Sequence, residues 1–187
     1  MSQSSVVQPP PDTTPSMRPS LLNLPDALAH RYQVLKHLPT QGAEADLLVV
    51  ESLAEPGQRA VAKLYRPGIP PRSAALQQIS AQFPRHVVQM LEYGYSEGIG
   101  YELLEYAENG SLRDWLAQGP LNQAQIRELL IELSTALAEL HSYHVLHRDL
   151  KPENVLIRRR QPLHLVLTDF SGPALADATL YFTTANR

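Results

Sequence analysis

The sequence contains no cysteine. That excludes disulfides and thiolate metal sites, and it fits a reducing compartment. No apolar run reaches the roughly 18 residues that a membrane-spanning helix requires, so no membrane segment is expected. A formal net charge of -3 leaves no basic footprint for nucleic acid. The beginning of the chain lacks the charged-then-apolar pattern of a secretory signal, and together these absences point to a cytoplasmic location. A more local absence matters most: from Pro56 to Leu91 there is no aspartate or glutamate, although the chain has 19 acidic residues.

What is present suits one folded domain, since 187 residues with 43% hydrophobic content can bury a sizeable core. Residues 1–24 are rich in Ser, Pro and Thr, so residues 1–30 read as a disordered tail, with Pro9-Pro10-Pro11 as plain linker. From Arg31 onward the pattern becomes strand-like.

The most informative stretch is His147-Arg148-Asp149-Leu150-Lys151-Pro152-Glu153-Asn154, followed at a distance by Asp169-Phe170. Val155-Leu156-Ile157 and Leu163-His164-Leu165-Val166-Leu167 are short apolar runs separated by Arg158-Arg159-Arg160-Gln161-Pro162, which predicts a β-hairpin. Asn154 precedes the first strand and Asp169 follows the second. Antiparallel pairing therefore brings them to one end, with Cα atoms roughly 5 Å apart. Two hard oxygen donors then converge where magnesium would keep some waters and take further ligands from phosphate. Asp149, five residues before Asn154, is placed to accept a proton from an attacking hydroxyl, and Lys151 to neutralise charge on a transferred phosphoryl group.

This ordered set resembles the eukaryotic-type protein kinase family. The resemblance implies Asp149 as catalytic base, Lys151 as phosphate contact, and Asn154 and Asp169 as magnesium ligands. Lysine at position 151 resembles the serine/threonine branch. The implied fold is α+β and two-lobed: an antiparallel β small lobe over residues 31–106 and part of a helical large lobe over residues 107–187. The implied partners are ATP and a protein substrate.

The small-lobe pattern agrees. Strand-like runs occupy residues 32–38, 46–51 and 59–65. Residues 40–46 stand where the family has a glycine-rich phosphate loop, but only Gly42 matches, with Thr40 and Ala45 replacing two glycines. By resemblance, Lys63 in Val61-Ala62-Lys63 holds the α- and β-phosphates, and Ala62 and Leu47 touch the adenine. In the family this lysine pairs with a glutamate on the next helix. Here the expected helix, residues 72–82, has no acid, and Ala75 or a neighbour stands in the glutamate's place. Gln77 or Gln78 is left as a neutral substitute. A further strand is expected at residues 87–91. The run Tyr101-Glu102-Leu103-Leu104-Glu105-Tyr106-Ala107 resembles the hinge, with the Glu105 carbonyl and Ala107 N–H bonding the adenine edge and Leu104 behind.

In the large lobe a short helix is expected at residues 112–117, ended by Gly119-Pro120, and a long amphipathic one at residues 122–142. Its stripe of Ile126, Leu129, Leu130, Leu133, Leu137 and Leu140 reads as core. After Phe170, Ser171-Gly172 departs from the family's usual glycine, and Thr179, Tyr181, Thr183 and Thr184 fall in the activation segment. The chain ends eighteen residues after Asp169, earlier than a complete domain of this family, so a fragment or a truncated product is expected.

The function implied is an ATP- and magnesium-dependent serine/threonine protein kinase, whole or in part. The alternative is a catalytically weak pseudokinase or scaffold that binds nucleotide and partner proteins, motivated by the missing helix glutamate, the poor glycine loop and Ser171. A small-molecule phosphotransferase is disfavoured by Arg148 and the Lys151-Pro152-Glu153 run.

Overall fold

The computed structural model describes residues 23–39, 44–71 and 73–170. Five antiparallel strands form one sheet in the order β1-β2-β3-β5-β4: β1 (Tyr32–Leu38), β2 (Ala45–Ser52), β3 (Arg59–Tyr65), β4 (Met90–Ser96) and β5 (Ile99–Glu105). A helix, α1 (Asp26–Ala29), precedes the sheet, and α2 (Ser73–Gln82) joins β3 to β4. The second half holds α3 (Leu112–Leu116), α4 (Gln123–Ser142), a 3-10 turn (Pro152–Asn154) and the hairpin β6 (Val155–Arg160) to β7 (Leu163–Leu167). No helix among the described residues is long and apolar enough to cross a membrane.

Because side chains alternate along a strand, the sheet register sorts residues onto two faces. Leu47 pairs with Lys63, Lys63 with Glu102, Val49 with Val61, and Val61 with Leu104, so these share one face. Leu48, Ala62, Leu64 and Leu103 share the other, in a cluster sealed by Leu28 of α1. The first face meets a larger cluster in which Leu76 and Ile79 of α2 pack with Leu104, Leu140 of α4, Leu165 of β7 and Phe170. One continuous core therefore crosses both halves of the molecule.

The link between the halves is also hydrogen-bonded. Arg158 on β6 donates to the Glu105 carboxylate at 2.5 and 3.2 Å and to the Pro84 carbonyl at 3.0 Å. Ile157 N–H donates to Gly110 O at 2.8 Å. Gly110 has φ +72, and a Cβ there would lie 2.8 Å from Asp114 Oδ2, so glycine is required. That same Asp114 forms a reciprocal capping box with Ser111 at the start of α3, and Asn122 and Gln125 do the same for α4.

Three expectations need correction. Residues 1–30 do not all form a tail: α1 docks on the sheet, Leu28 is 0% exposed, and Arg31 holds Glu92 through two bonds of 2.8 and 2.9 Å. The strand expected at residues 87–91 begins instead at Met90. Residues 86–88 bond β7, through Val88 N–H to Leu167 O at 2.9 Å and Leu167 N–H to His86 O at 2.8 Å. The α4 stripe is core only in part, because the fully buried residues are Ala136 and Leu140 in its C-terminal half. Ile126 and Leu130, in the other half, remain 45% and 59% exposed.

Truncating Leu28 to alanine should destabilise the full chain by about 2–5 kcal/mol in denaturant unfolding, as expected for a large-to-small change in a packed core. Leu35→Ala, at an exposed position of β1, should stay within about 0.5 kcal/mol of wild type.

Candidate active site

The loop from His147 to Asn154 follows the end of α4. Val145 N–H still bonds Leu140 O at 3.0 Å, and Val145 is buried, which fixes the point from which the loop departs. His147 is 3% exposed and bridges two parts of the site. Its Nδ1 accepts from Asp149 N–H at 3.3 Å, so the proton sits on Nε2, which donates to Thr168 O at 2.8 Å. Between them Arg148 has φ +62, a left-handed conformation that a non-glycine residue adopts at a cost of about 1–3 kcal/mol. Asp169 has φ +60.

Asp149, Lys151 and Asn154 form one network. Lys151 Nζ donates to Asp149 Oδ2 at 2.7 Å, and Asn154 Nδ2 donates to Asp149 O at 2.8 Å and Oδ2 at 3.1 Å. Because the amide nitrogen of Asn154 is committed to Asp149, its Oδ1 remains as the donor for a cation. Asn154 O accepts from Thr168 N–H at 3.0 Å, continuing the hairpin ladder to the residue before Asp169. The pairing that the two apolar runs predicted is thus formed. The loop is braced from α3 by Arg113, which bonds Glu153 at 2.8 Å.

Across from this network, Lys63 Nζ bonds Asp169 Oδ1 at 2.7 Å, tying β3 to the segment after β7. Phe170 is buried, stacks against His147 with ring centroids 4.5 Å apart, and shares the core with Leu76 and Ile79 of α2.

The electrostatics follow from these contacts. The hydrogen bond from Lys151 holds the Asp149 carboxyl below the usual aspartate range, with Asn154 adding to it, and the same bond raises Lys151. Asp149 is therefore ionised at neutral pH and able to accept a proton. Burial pushes His147 down, against the opposing pull of the Thr168 carbonyl and the Asp149 and Asp169 carboxylates, so the ring is neutral.

The other expected residues are distributed unevenly. Leu47 lies on the face of Lys63, half-buried. Ala62 does not: it is fully buried on the opposite face, and the side chain beside Lys63 on the cleft face is Val61. The Glu105 side chain turns to Arg158 and its N–H bonds Gln89 O at 2.9 Å, while Ala107 is buried with its carbonyl accepting from Gly110. Gly42 lies outside the described residues, as do Ser171 and the activation-segment hydroxyls. In α2, Ala75 is half-buried against the core and Gln77 and Gln78 are exposed. Lys63 has Asp169 as its partner instead of either glutamine. Among the described residues no group of three or more His, Asp or Glu could hold a metal. Asn154 Oδ1 and the Asp169 carboxylate are two hard oxygens of the kind that could hold a magnesium ion.

Residues 74–179, more than half of the chain, match the family model described as protein kinase domain. The chain belongs to that family. It is 29% identical over 159 residues to the serine/threonine-protein kinase PknA of Nostoc sp., covering 78% of this chain and 28% of that protein. It is 32% identical to CBL-interacting protein kinase 11 of Oryza sativa, covering 81% of this chain and 31% of that one. The chain thus spans about a third or less of the length of these relatives. The fold is similar to that in the crystal structure of Rad53 1-466 in complex with AMP-PNP, with a TM-score of 0.61, 20% identity, and coverage of 81% of this chain and 44% of the other. The architecture is the two-lobed α+β kinase fold, with the antiparallel sheet, α1 and α2 in the small lobe and α3, α4 and the β6–β7 hairpin in the large lobe.

His147 yields a pH prediction. Its folded pKa lies below its unfolded value of about 6.5, so the unfolded chain binds a proton that the native ring refuses. By linkage, stability falls as pH drops through about 6.5 and levels off below the folded pKa. Thermal unfolding of His147→Gln should show a smaller loss between pH 7 and pH 5 than wild type.

Proposed function

We propose that this chain carries the nucleotide cleft and catalytic loop of an ATP- and magnesium-dependent serine/threonine protein kinase, transferring the γ-phosphoryl group of ATP to a protein hydroxyl. The observation that carries this reading is the Asp149-Lys151-Asn154 network facing the Lys63–Asp169 pair. Asp149, ionised by its contact with Lys151, accepts the proton of the substrate hydroxyl as its oxygen attacks the γ-phosphorus and the bond to ADP breaks. Lys151 stands beside that transfer, where its ammonium stabilises charge on the phosphoryl oxygens. Asn154 Oδ1 and the Asp169 carboxylate would hold magnesium, which would supply charge neutralisation on the phosphates. Lys63 would take the α- and β-phosphates. Nucleotide binding in the Rad53 structure supports the same occupant for this cleft.

A scaffold without turnover is the weaker reading. It is motivated by the acid-free α2, but the relatives named as serine/threonine protein kinases and the intact loop network weigh against it.

Incorporation of labelled phosphate into a generic protein by the full chain should fall by at least about 10²-fold in Asp149→Ala, the loss typical of a missing general base. Acid hydrolysis of the product should yield phosphoserine or phosphothreonine. Transfer by wild type no greater than by Asp149→Ala would reject the proposal.

A further inference from the structure

Lys63 sits in a family whose lysine is positioned by a glutamate from the helix after β3, yet α2 offers none. Within the described residues the face that Lys63 occupies holds one deeply buried acid. Glu102 on β5 is directly opposite Lys63 in the antiparallel register, in a row that continues to Tyr93 of β4. Such opposed residues have Cβ atoms about 4.5–5.5 Å apart.

Glu102 is 1% exposed. Oε1 accepts from Ser73 Oγ, at the first residue of α2, at 2.8 Å. Its other oxygen, Oε2, has no hydrogen-bond partner among the described residues. A buried carboxylate is costly unless a cation or several donors compensate it, and neutral hydroxyl donors do not balance its charge. The adjacent Tyr65 phenol is held protonated, pushed up first by burial, then by the Glu102 charge and by a hydrogen bond to Glu102. Lys63 is the cation directly opposite Glu102 on this face. At present its ammonium lies 5.3 Å from the Tyr65 ring centroid and is bonded to Asp169, whose side chain is 48% exposed.

We infer that Glu102 on β5 is the acid that positions Lys63 for nucleotide, replacing a glutamate from α2, and that through Ser73 it fastens the start of α2 to the same point. When Asp169 turns to a bound cation, Lys63 loses its present partner. The free oxygen of Glu102 then receives the ammonium from within the sheet. The charge pair of the cleft is thereby built on two hydrogen-bonded strands, and Lys63 stays positioned without a rotation of α2 to deliver its counter-ion. Glu102 does not touch the reacting atoms; it is a positioning residue. The inference rests on the nucleotide reading above.

The test is a double-mutant cycle on the affinity of the full chain for Mg·AMP-PNP, using wild type, Glu102→Gln, Lys63→Met and the double variant. Glutamine keeps the acceptor for Ser73 and the side-chain shape while removing the charge. Glu102→Gln should weaken binding about tenfold, the scale of one charge-assisted hydrogen bond, and the double variant should bind no more weakly than Lys63→Met alone. A purely structural role for Glu102 predicts additive losses, or binding by Glu102→Gln within about twofold of wild type, and either result overturns the inference. If wild type binds and Lys63→Met is impaired while Glu102→Gln is not, only this inference falls. If wild type itself does not bind, the nucleotide reading falls and this inference with it. Should Glu102→Gln fail to fold, a crystal structure of the full chain with Mg·AMP-PNP decides: Lys63 Nζ within about 4 Å of the Glu102 carboxylate sustains the pairing, and a larger separation overturns it.

Discussion

The register of the β6–β7 hairpin is the constraint on which the site depends. Val155 opposite Leu167, with Asn154 O accepting from Thr168 N–H, puts the residues before the first strand and after the second at one edge. His147 then closes its own loop onto that edge through Thr168 O. A slip of one residue would reverse which side chains face the core, because the strand period is two. It would also separate the two oxygen donors. Ile157, Leu165 and Leu167 are buried in the core shared with α2 and α4, so apolar burial enforces the register that the polar site needs.

Charge is distributed around this edge in an order that matters. Lys151 and Asn154 hold Asp149, Lys63 holds Asp169, and Glu102 lies behind Lys63 inside the sheet. The pairs in the open cleft are partly exposed and exchange partners at modest cost, since surface ion pairs contribute little. Glu102 is different in kind, because a carboxylate without water must find its compensation within the protein. Arg158 plays a comparable organising role at the end of β5, where one guanidinium ties Glu105 to the Pro84 carbonyl.

Much of this was legible in the sequence, and the failures share a cause. The β1, β2 and β3 spans, α4 and the hairpin follow from local periodicity, and the loop network follows from a short spacing among Asp149, Lys151 and Asn154. Ala62 was assigned to the cleft although alternation from Lys63 selects Val61, a signal that was available. Val87 and Val88 read as part of a sheet strand, but β7, nearly eighty residues later, bonds the backbone on either side of Val87, at His86 O and Val88 N–H. Four residues of α1 are too few to show a period, and what orders them is burial of Leu28 against a sheet built from residues later in the chain. Glu102 could not be singled out beforehand, since nothing local says which residue of β5 falls opposite Lys63. Nonlocal register is the information a linear reading lacks.

The central claim is that Asn154 and Asp169 converge on one divalent cation beside a bound nucleotide. Paramagnetic line broadening of the full chain by Mn²⁺ in the presence of ATP tests it most directly. The account predicts selective loss of the amide resonances of Asn154, Thr168 and Asp169, with those of Gly57 and Glu97, in turns of the small lobe, preserved. Resonances at Asn154 and Asp169 that persist unbroadened while nucleotide is bound would contradict it.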